Sequence, residues 1–548
     1  MSDVNALSDL ATSDVPPTPA PLMQWNAWGV AAGNKPLSPA VGTLLSQAFG
    51  VQVSDGGRPS EDAVILRDST LTADHVAGLG ELVGAANVAT DKSARLLRAG
   101  GKSTFDLLRR RSTDPQNAPD AVLFPADHDE VVAVLQYCSA NRIAVVPFGG
   151  GTSVVGGVDP ERGGSDAAIA LDLRRLNSLS AIDPISGTAR MGAGLTGPQA
   201  EELLGAHGLS IGHFPQSFQF ASIGGFAATR SSGQASAGYG RFDDMVAHLK
   251  VATPRGTIEL GKPPASAAGP DLRELFVGSE GAFGVITEVT LRVHPVAERT
   301  DYQAWSFPDF TTGAAALRAV VQAGVAPTVL RLSDEAESGV NLAMADKAGG
   351  AAVTSGCLAI TTFEGTAAHV ASRAAEASAI LTENGGTALG ADPARQWEHG
   401  RFNAPYMRDA LLDSGVLCET LETATTWSNL GTLRGAVTAA LSEALTGQGT
   451  PPLVLCHISH TYPTGASLYF TVICAQKDDP IAQWTVAKRA ASDAMVGNGG
   501  TITHHHAVGS DHRPWMTAEV GDLGVEILRA VKNVVDPAGI LNPGKLIP

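Results

Sequence analysis

Between Asp127 and Asn141 the apolar residues Val131, Val132, Val134, Leu135 and Cys138 recur at helical spacing, which predicts an amphipathic helix. The run Ile143 to Pro147 has no polar interruption and predicts a short buried strand, with Gly149-Gly150-Gly151 close behind it. Strand-like alternation returns at Glu288-Val289-Thr290-Leu291-Arg292-Val293. Helices and strands thus alternate over residues 116–298, and an Ala-rich α+β stretch fills residues 299–500. Asp536-Pro-Ala-Gly-Ile-Leu-Asn-Pro-Gly-Lys545 ends the chain in turn chemistry, within a C-terminal segment of residues 501–548. Before all of these, residues 1–20 are rich in Ser, Asp and Pro and predict a disordered tail. Residues 21–115 read as an N-terminal helical region, whose cluster Arg109-Arg110-Arg111 is expected on a solvated helix face.

Charge narrows the partners. A formal charge of −17 repels phosphate backbones, which excludes nucleic acid and requires any anionic ligand to be met by a local pocket. Five scattered cysteines without a C-x-x-C pair give neither a disulfide framework nor a zinc ribbon, and fit a reducing, cytoplasmic compartment. No apolar run reaches the roughly 18 residues of a membrane-spanning helix. The first twenty residues carry Asp3, Asp9 and Asp14 but no Lys or Arg, which is wrong for a secretory or import signal. The final Leu-Ile-Pro is not a peroxisomal tripeptide.

The glycine segments carry the chemistry. Pro147-Phe-Gly-Gly-Gly-Thr-Ser-Val-Val-Gly-Gly157 follows a strand and offers successive unhindered amides, an anion-binding nest suited to a pyrophosphate. Its spacing is neither G-x-G-x-x-G nor a Walker loop, and a flexible glycine turn competes with the nest for this segment alone. Gln216 to Gly225, Ala228 to Gly233 and Gly278 to Thr287 follow in order, each setting glycine beside hydroxyls and apolar residues. This set resembles the FAD-binding domain of the vanillyl-alcohol-oxidase superfamily.

The resemblance implies an α+β fold: a PCMH-type FAD-binding domain of two subdomains, a second α+β substrate (cap) domain, and helical N- and C-terminal segments. The chain's end would return to the flavin site. Gly149, Gly150, Gly151, Thr152 and Ser153 would bind the pyrophosphate, with Pro147 and Phe148 beside them. Gln216, Ser217, Ser222, Gly224, Gly225, Thr229, Arg230, Ser231, Ser232, Glu280, Gly281, Gly284, Val285 and Ile286 would line the rest of the cofactor. Many covalent members place a His in the pyrophosphate loop; Thr152 and Ser153 stand there instead, so noncovalent FAD is expected.

A narrower resemblance runs from Gln24 onward. Trp25-Asn-Ala-Trp-Gly29, Arg230-Ser-Ser-Gly233, Thr253-Pro-Arg-Gly256, Pro405-Tyr-Met-Arg-Asp409, His457-Ile-Ser-His-Thr-Tyr462 and His504-His-His506 look like the alkyldihydroxyacetonephosphate synthase family. That family needs FAD and makes ether lipids, replacing the acyl group of an acyl-dihydroxyacetone phosphate by a fatty alcohol without net redox change. It implies a small-molecule lipid substrate with a phosphate head group, a homodimer, and peripheral membrane contact without a transmembrane segment.

By this resemblance Tyr462 exchanges a proton with substrate, although a Tyr beside Pro463 is on its own more often a packed side chain. Arg408 would grip the phosphate with its planar guanidinium; an ion pair with Asp409 is the plainer alternative. Arg331 matches an activity-critical Arg, with a buried structural ion pair equally open. His504, His505 and His506 invite a metal, but on a strand consecutive side chains alternate faces and do not converge on one ion. A role beside the flavin is therefore preferred, with no metal. An apolar pocket in the second domain is expected for the acyl and alkyl chains.

Two other functions compete. An FAD-linked 2-hydroxyacid dehydrogenase of the glycolate or D-lactate type would share the flavin segments, but typically carries a His-x-Gly-Asp-Gly-Asn-x-His metal segment. Here His457-Ile-Ser-His460 runs into Thr-Tyr-Pro instead. A non-catalytic flavin-binding or lipid-handling protein is disfavoured by the joint presence of Tyr462, Arg408 and the His triplet.

Overall fold

The computed structural model describes residues 17–53, 57–262, 264–345 and 356–548. The predicted helix forms as His128–Ala140, capped by Asp127, whose carboxylate accepts from the Glu130 amide. Its buried stripe is Val131, Val134, Leu135 and Cys138. The following strand, Ile143–Phe148, stands at the end of a four-stranded sheet ordered Val88–Ala89, Ala121–Leu123, Ala167–Asp172, Ile143–Phe148. An edge strand this apolar needs cover. The chain's last segment supplies it: Val145 donates to Ile540 and accepts from the Asn542 amide, while Ile540 and Leu541 enter that sheet's core.

A second, antiparallel sheet runs Leu179–Asp183, Thr188–Gly192, Val285–Arg292, Val246–Thr253, Gly256–Leu260. Along Val285–Arg292 the expected alternation appears: Val289 and Leu291 are buried and Arg292 is exposed. Val508, Met516, Val535 and Leu546 complete this sheet's core, so both cores close only when the C-terminal segment docks.

The third sheet has eight strands, all pairs antiparallel, with Val329–Ser333, Leu453–Ile458, Gly465–Ala475 and Val416–Thr426 adjacent in that order. Helices Phe310–Gln322, Ala367–Glu383, Leu430–Thr446 and Pro480–Gly497 share a core with its Leu330, Leu332, Leu421, Cys456, Ile458, Leu468 and Phe470. Period-two alternation sends Arg331, Glu422, His457 and Tyr469 to the opposite face. Register aligns three of them, with His457 opposite Tyr469 and Tyr469 opposite Glu422.

Two expectations change. Arg109-Arg110-Arg111 is not a solvated face: Arg110 is 3% exposed and donates to the Trp25 and Gly101 carbonyls. Arg111 pairs with Asp413 and Arg109 with Asp159, carboxylates that local spacing could not reveal; Arg109, which stays half exposed, also pairs with Asp106 one helical turn earlier. The expected tail lies outside the described residues as far as residue 16, but Thr18 is seated, its carbonyl accepting from Gln199 and its hydroxyl donating to Glu202. Among the described residues no helix is long and apolar enough to cross a membrane.

Candidate active site

The glycine loop is built by close approach. A Cβ on Gly150 would lie 2.0 Å from the Phe220 carbonyl oxygen, one on Gly149 2.1 Å from Ser222 Oγ, and Gly151 has φ +67°. Ser153 Oγ accepts from the Gly157 amide, and Pro147 packs against Gly281 closely enough to exclude a Cβ there. Ser222 caps helix Ile223–Ala228 by accepting from Gly225, and Gly224 approaches Ala193 where a Cβ would sit 2.6 Å away. Ser217 anchors the preceding turn through its carbonyl, which takes the Phe220 and Ala221 amides. The glycine segments of the sequence thus converge on one locus.

Some side chains there are committed elsewhere. Arg230 pairs with Asp243 and Glu274, Thr229 Oγ1 donates to the Gly225 carbonyl, and Ser231 Oγ meets His213 Nε2 at 3.0 Å. The Glu280 carboxylate accepts the Val508 and Gly509 amides, and burial raises it to about 7. Val285 and Ile286 turn into the core, and Gly284 lies against Val251. Others are buried without a partner: Gln216 Nε2, Ser232 Oγ, Ser279 Oγ, Gln234 Oε1 and His213 Nδ1. Orphaned buried polar atoms cost free energy unless a ligand satisfies them, so this locus fits a long, polar cofactor such as FAD.

Sequence reasoning missed the cations. Arg98, Lys102 and Arg174 line a cavity together with Phe148, Gly149, Gly150, Gly151 and Phe220. Arg98 and Arg174 both hold the fully buried Asp172. Lys102 Nζ donates to the Gln24 and Trp25 carbonyls, and burial, then Arg110, pull its ammonium well below the usual lysine range. On so acidic a chain Arg98 and Arg174 are local positive charges for a pyrophosphate, and an anion bound there would favour the charged form of Lys102. The run Arg95-Leu-Leu-Arg-Ala-Gly-Gly-Lys102 carried the signal, cations beside a glycine pair.

The histidines reach the glycine segments through His460, 3.1 Å from the Gly233 carbonyl. Tyr462, on strand Thr461–Tyr462, has its hydroxyl 2.6 Å from His504 Nε2. Burial raises the Tyr462 phenol above its ordinary value, with Arg241 opposing, and burial pushes His504 down to about 3. At neutral pH both are uncharged, so the phenol donates to Nε2 and His504 carries its own proton on Nδ1, 3.2 Å from His505 Nδ1.

The premise that separated the three histidines does not hold. Residues 504–506 form an irregular loop whose three amides all donate to Glu422, joined by Thr503 Oγ1. The loop wraps a carboxylate that the neighbouring imidazoles, His505 foremost, keep well below its usual range against burial. Ring nitrogens of His460, His504 and His505 thereby come within 4.8 Å of one another. All three already have partners: His460 Nε2 faces the Gly233 carbonyl, His504 Nε2 faces Tyr462, and His505 Nδ1 lies 3.2 Å from His504 Nδ1 and 3.4 Å from Glu422.

Arg408, on helix Ala404–Asp413, is 8% exposed, and its Nε and one Nη have no hydrogen-bond partner. No carboxylate among the described residues lies within 4 Å of it. Asp409 is taken instead by the Trp28 amide and Arg111. Arg331 does form an ion pair, with Glu337 at 2.9 Å, a partner the sequence did not suggest. Beside Tyr462 opens a cleft of about 620 Å³ lined by Thr425, Thr426, Asn429, Thr464, Asn498, Ala424, Ala466, Gly465 and Gly499. Its walls are small and mixed, not the apolar pocket expected for long chains.

The family described as FAD binding domain matches residues 119–261, and that described as FAD linked oxidases, C-terminal domain, matches residues 296–546. Fold, glycine locus and family matches define an FAD-dependent enzyme of the FAD-linked oxidase class. Alkyldihydroxyacetonephosphate synthase from Dictyostelium discoideum is 35% identical over 477 residues, covering 84% of this chain and 78% of that protein. The synthase from Trypanosoma brucei brucei is 33% identical over 478 residues, covering 84% and 78%. A solved alkyldihydroxyacetonephosphate synthase structure matches with TM-score 0.83 at 29% identity, covering 96% of this chain and 99% of that one. The chain belongs to the alkyldihydroxyacetonephosphate synthase family.

Proposed function

We propose that the protein exchanges the acyl group of an acyl-dihydroxyacetone phosphate for a fatty alcohol. The acyloxy group leaves as a carboxylate, the alcohol oxygen forms the ether bond, and the alcohol's proton is released. The observation that carries this reading is Arg408: a buried guanidinium whose Nε and one Nη lack partners is a ready two-pronged site for a phosphate.

Bound FAD would supply the ring at which the reacting carbon changes its substituent. The glycine locus would hold the cofactor noncovalently, and Arg98, Lys102 and Arg174, which line the cavity beside it, would meet its pyrophosphate. Tyr462 delivers and recovers the proton at its hydroxyl, which His504 orients by accepting from it at Nε2. The molecule acts as a homodimer in the cytoplasm; family resemblance supports the first and cysteine usage the second.

Arg408→Lys keeps the charge but loses the planar fork. It should weaken phosphorylated substrates more than unphosphorylated analogues, and Arg408→Ala should weaken them further while FAD stays bound. Equal relative losses for both substrate types would make Arg408 structural. Denaturation should release free FAD, and flavin precipitating with the chain would contradict noncovalent binding.

A further inference from the structure

We propose that Glu337 is a positioning residue of the active site: its carboxylate, shared by Arg331 and His457, fixes His457 and through it the ring stack that ends at His505. The inference rests on the exchange reading for its kinetic consequence, but not for its geometry.

Glu337 stands in the first turn of helix Glu335–Ala345, where its amide donates to Asp334. Its carboxylate accepts from Arg331 Nη2 at 2.9 Å and lies 3.1 Å from His457 Nδ1. Arg331 and His457 come from adjacent strands and share the sheet face that carries Tyr469 and Glu422. The His457 ring stacks on Tyr469 at 4.7 Å and 18°, and Tyr469 lies 6.1 Å from His505 at 17°. Three near-parallel rings therefore run from Glu337 to the histidine loop.

Simple charge neutralisation of Arg331 would need one contact; Glu337 makes two, with unlike partners. His457 has no other side-chain hydrogen bond among the described residues, so Glu337 sets the tautomer of that ring and, with the Tyr469 stack, its tilt. His457 and Arg331 hold the Glu337 carboxyl down at about 2 against burial, so the anchor stays ionised at any working pH. A fixed anion requires the proton on His457 Nδ1. Both donors meet the same oxygen, Oε1, so a glutamine leaves one neutral acceptor between two donors and removes the charge that holds the proton on Nδ1.

The test compares Glu337→Gln with wild-type holoenzyme, reading kcat and KM for exchange, FAD content, and histidine-ring nitrogen NMR with His457 assigned by its deletion. The proposal predicts full FAD content, KM nearly unchanged, kcat lower by about 10-fold, the small end for loss of a supporting partner, and disappearance of the Nδ1-bound His457 proton. In a His457→Phe background, Glu337→Gln should cost little more. Wild-type kcat in Glu337→Gln, or an undiminished loss in the His457→Phe background, overturns the proposal. If the wild-type protein performs no exchange, the exchange reading fails by itself. The NMR signal then decides: a His457 Nδ1 proton persisting in Glu337→Gln overturns the positioning role. Should Glu337→Gln lose its flavin, His457→Phe keeps the stacked ring without the donor. A normal kcat in that variant also overturns the proposal.

Discussion

Tyr462 and His504 lie 42 residues apart in the chain and 2.6 Å apart in the fold, with the proton between two groups that burial keeps uncharged. Tyr462→Phe deletes the hydroxyl and keeps the ring. Turnover should fall by at least ~10²-fold with FAD content and melting temperature unchanged; near-normal turnover would return Tyr462 to a packing role. At this scale the sequence offered residue types and withheld partners. Arg408 was readable as a phosphate ligand by resemblance, but only the fold shows that Asp409 is engaged by Trp28 and Arg111. The Glu337 partner of Arg331, six residues on in a helix, and the cations Arg98, Lys102 and Arg174 were not predicted, because local spacing does not show which side chains turn inward to meet.

The elements explain which expectations transferred. Helix His128–Ala140 and strand Ile143–Phe148 were legible because periodicity and caps are local. The histidine triplet misled because its backbone obeys a remote carboxylate, Glu422, instead of a strand ladder. Glu422→Gln would place an amide N–H against donors that the carboxylate now accepts, at a cost of about 1–3 kcal/mol. A lower melting temperature with lost exchange should result, and an unchanged one would show that the loop holds itself. The glycine loop gives a second test. A methyl on Gly150 would meet the Phe220 carbonyl, so Gly150→Ala alone should yield flavin-poor protein. Full FAD content in that variant would place the cofactor elsewhere.

Across the whole molecule, buried ionisable groups set the response to pH. Burial holds His213, His504 and His506 at about 3 and His512 at about 4, against 6.5 when exposed. In that interval the unfolded chain binds more protons than the folded one, so their stability contribution is complete above about 6.5 and is lost as pH falls. Asp159 and Glu280, both raised to about 7, act oppositely, contributing fully at low pH and losing that contribution as pH rises through 7. Four imidazoles outweigh two carboxyls, so the melting temperature should drop between about pH 7 and pH 5. A rise would show that those histidines are not buried neutral. The C-terminal segment, which enters two cores, was legible in its residues as turn chemistry, and its return to the flavin site was expected only by resemblance.

The central claim is substitution without net oxidation at an FAD site, and one assay meets it directly. Purified holoenzyme is given acyl-dihydroxyacetone phosphate and a labelled fatty alcohol while the flavin absorbance is followed. The account predicts label in an ether-linked dihydroxyacetone phosphate, one free fatty acid per ether formed, and flavin that ends oxidised. Flavin that bleaches with glycolate or D-lactate, with no label entering an ether, would contradict it and make the protein a 2-hydroxyacid dehydrogenase.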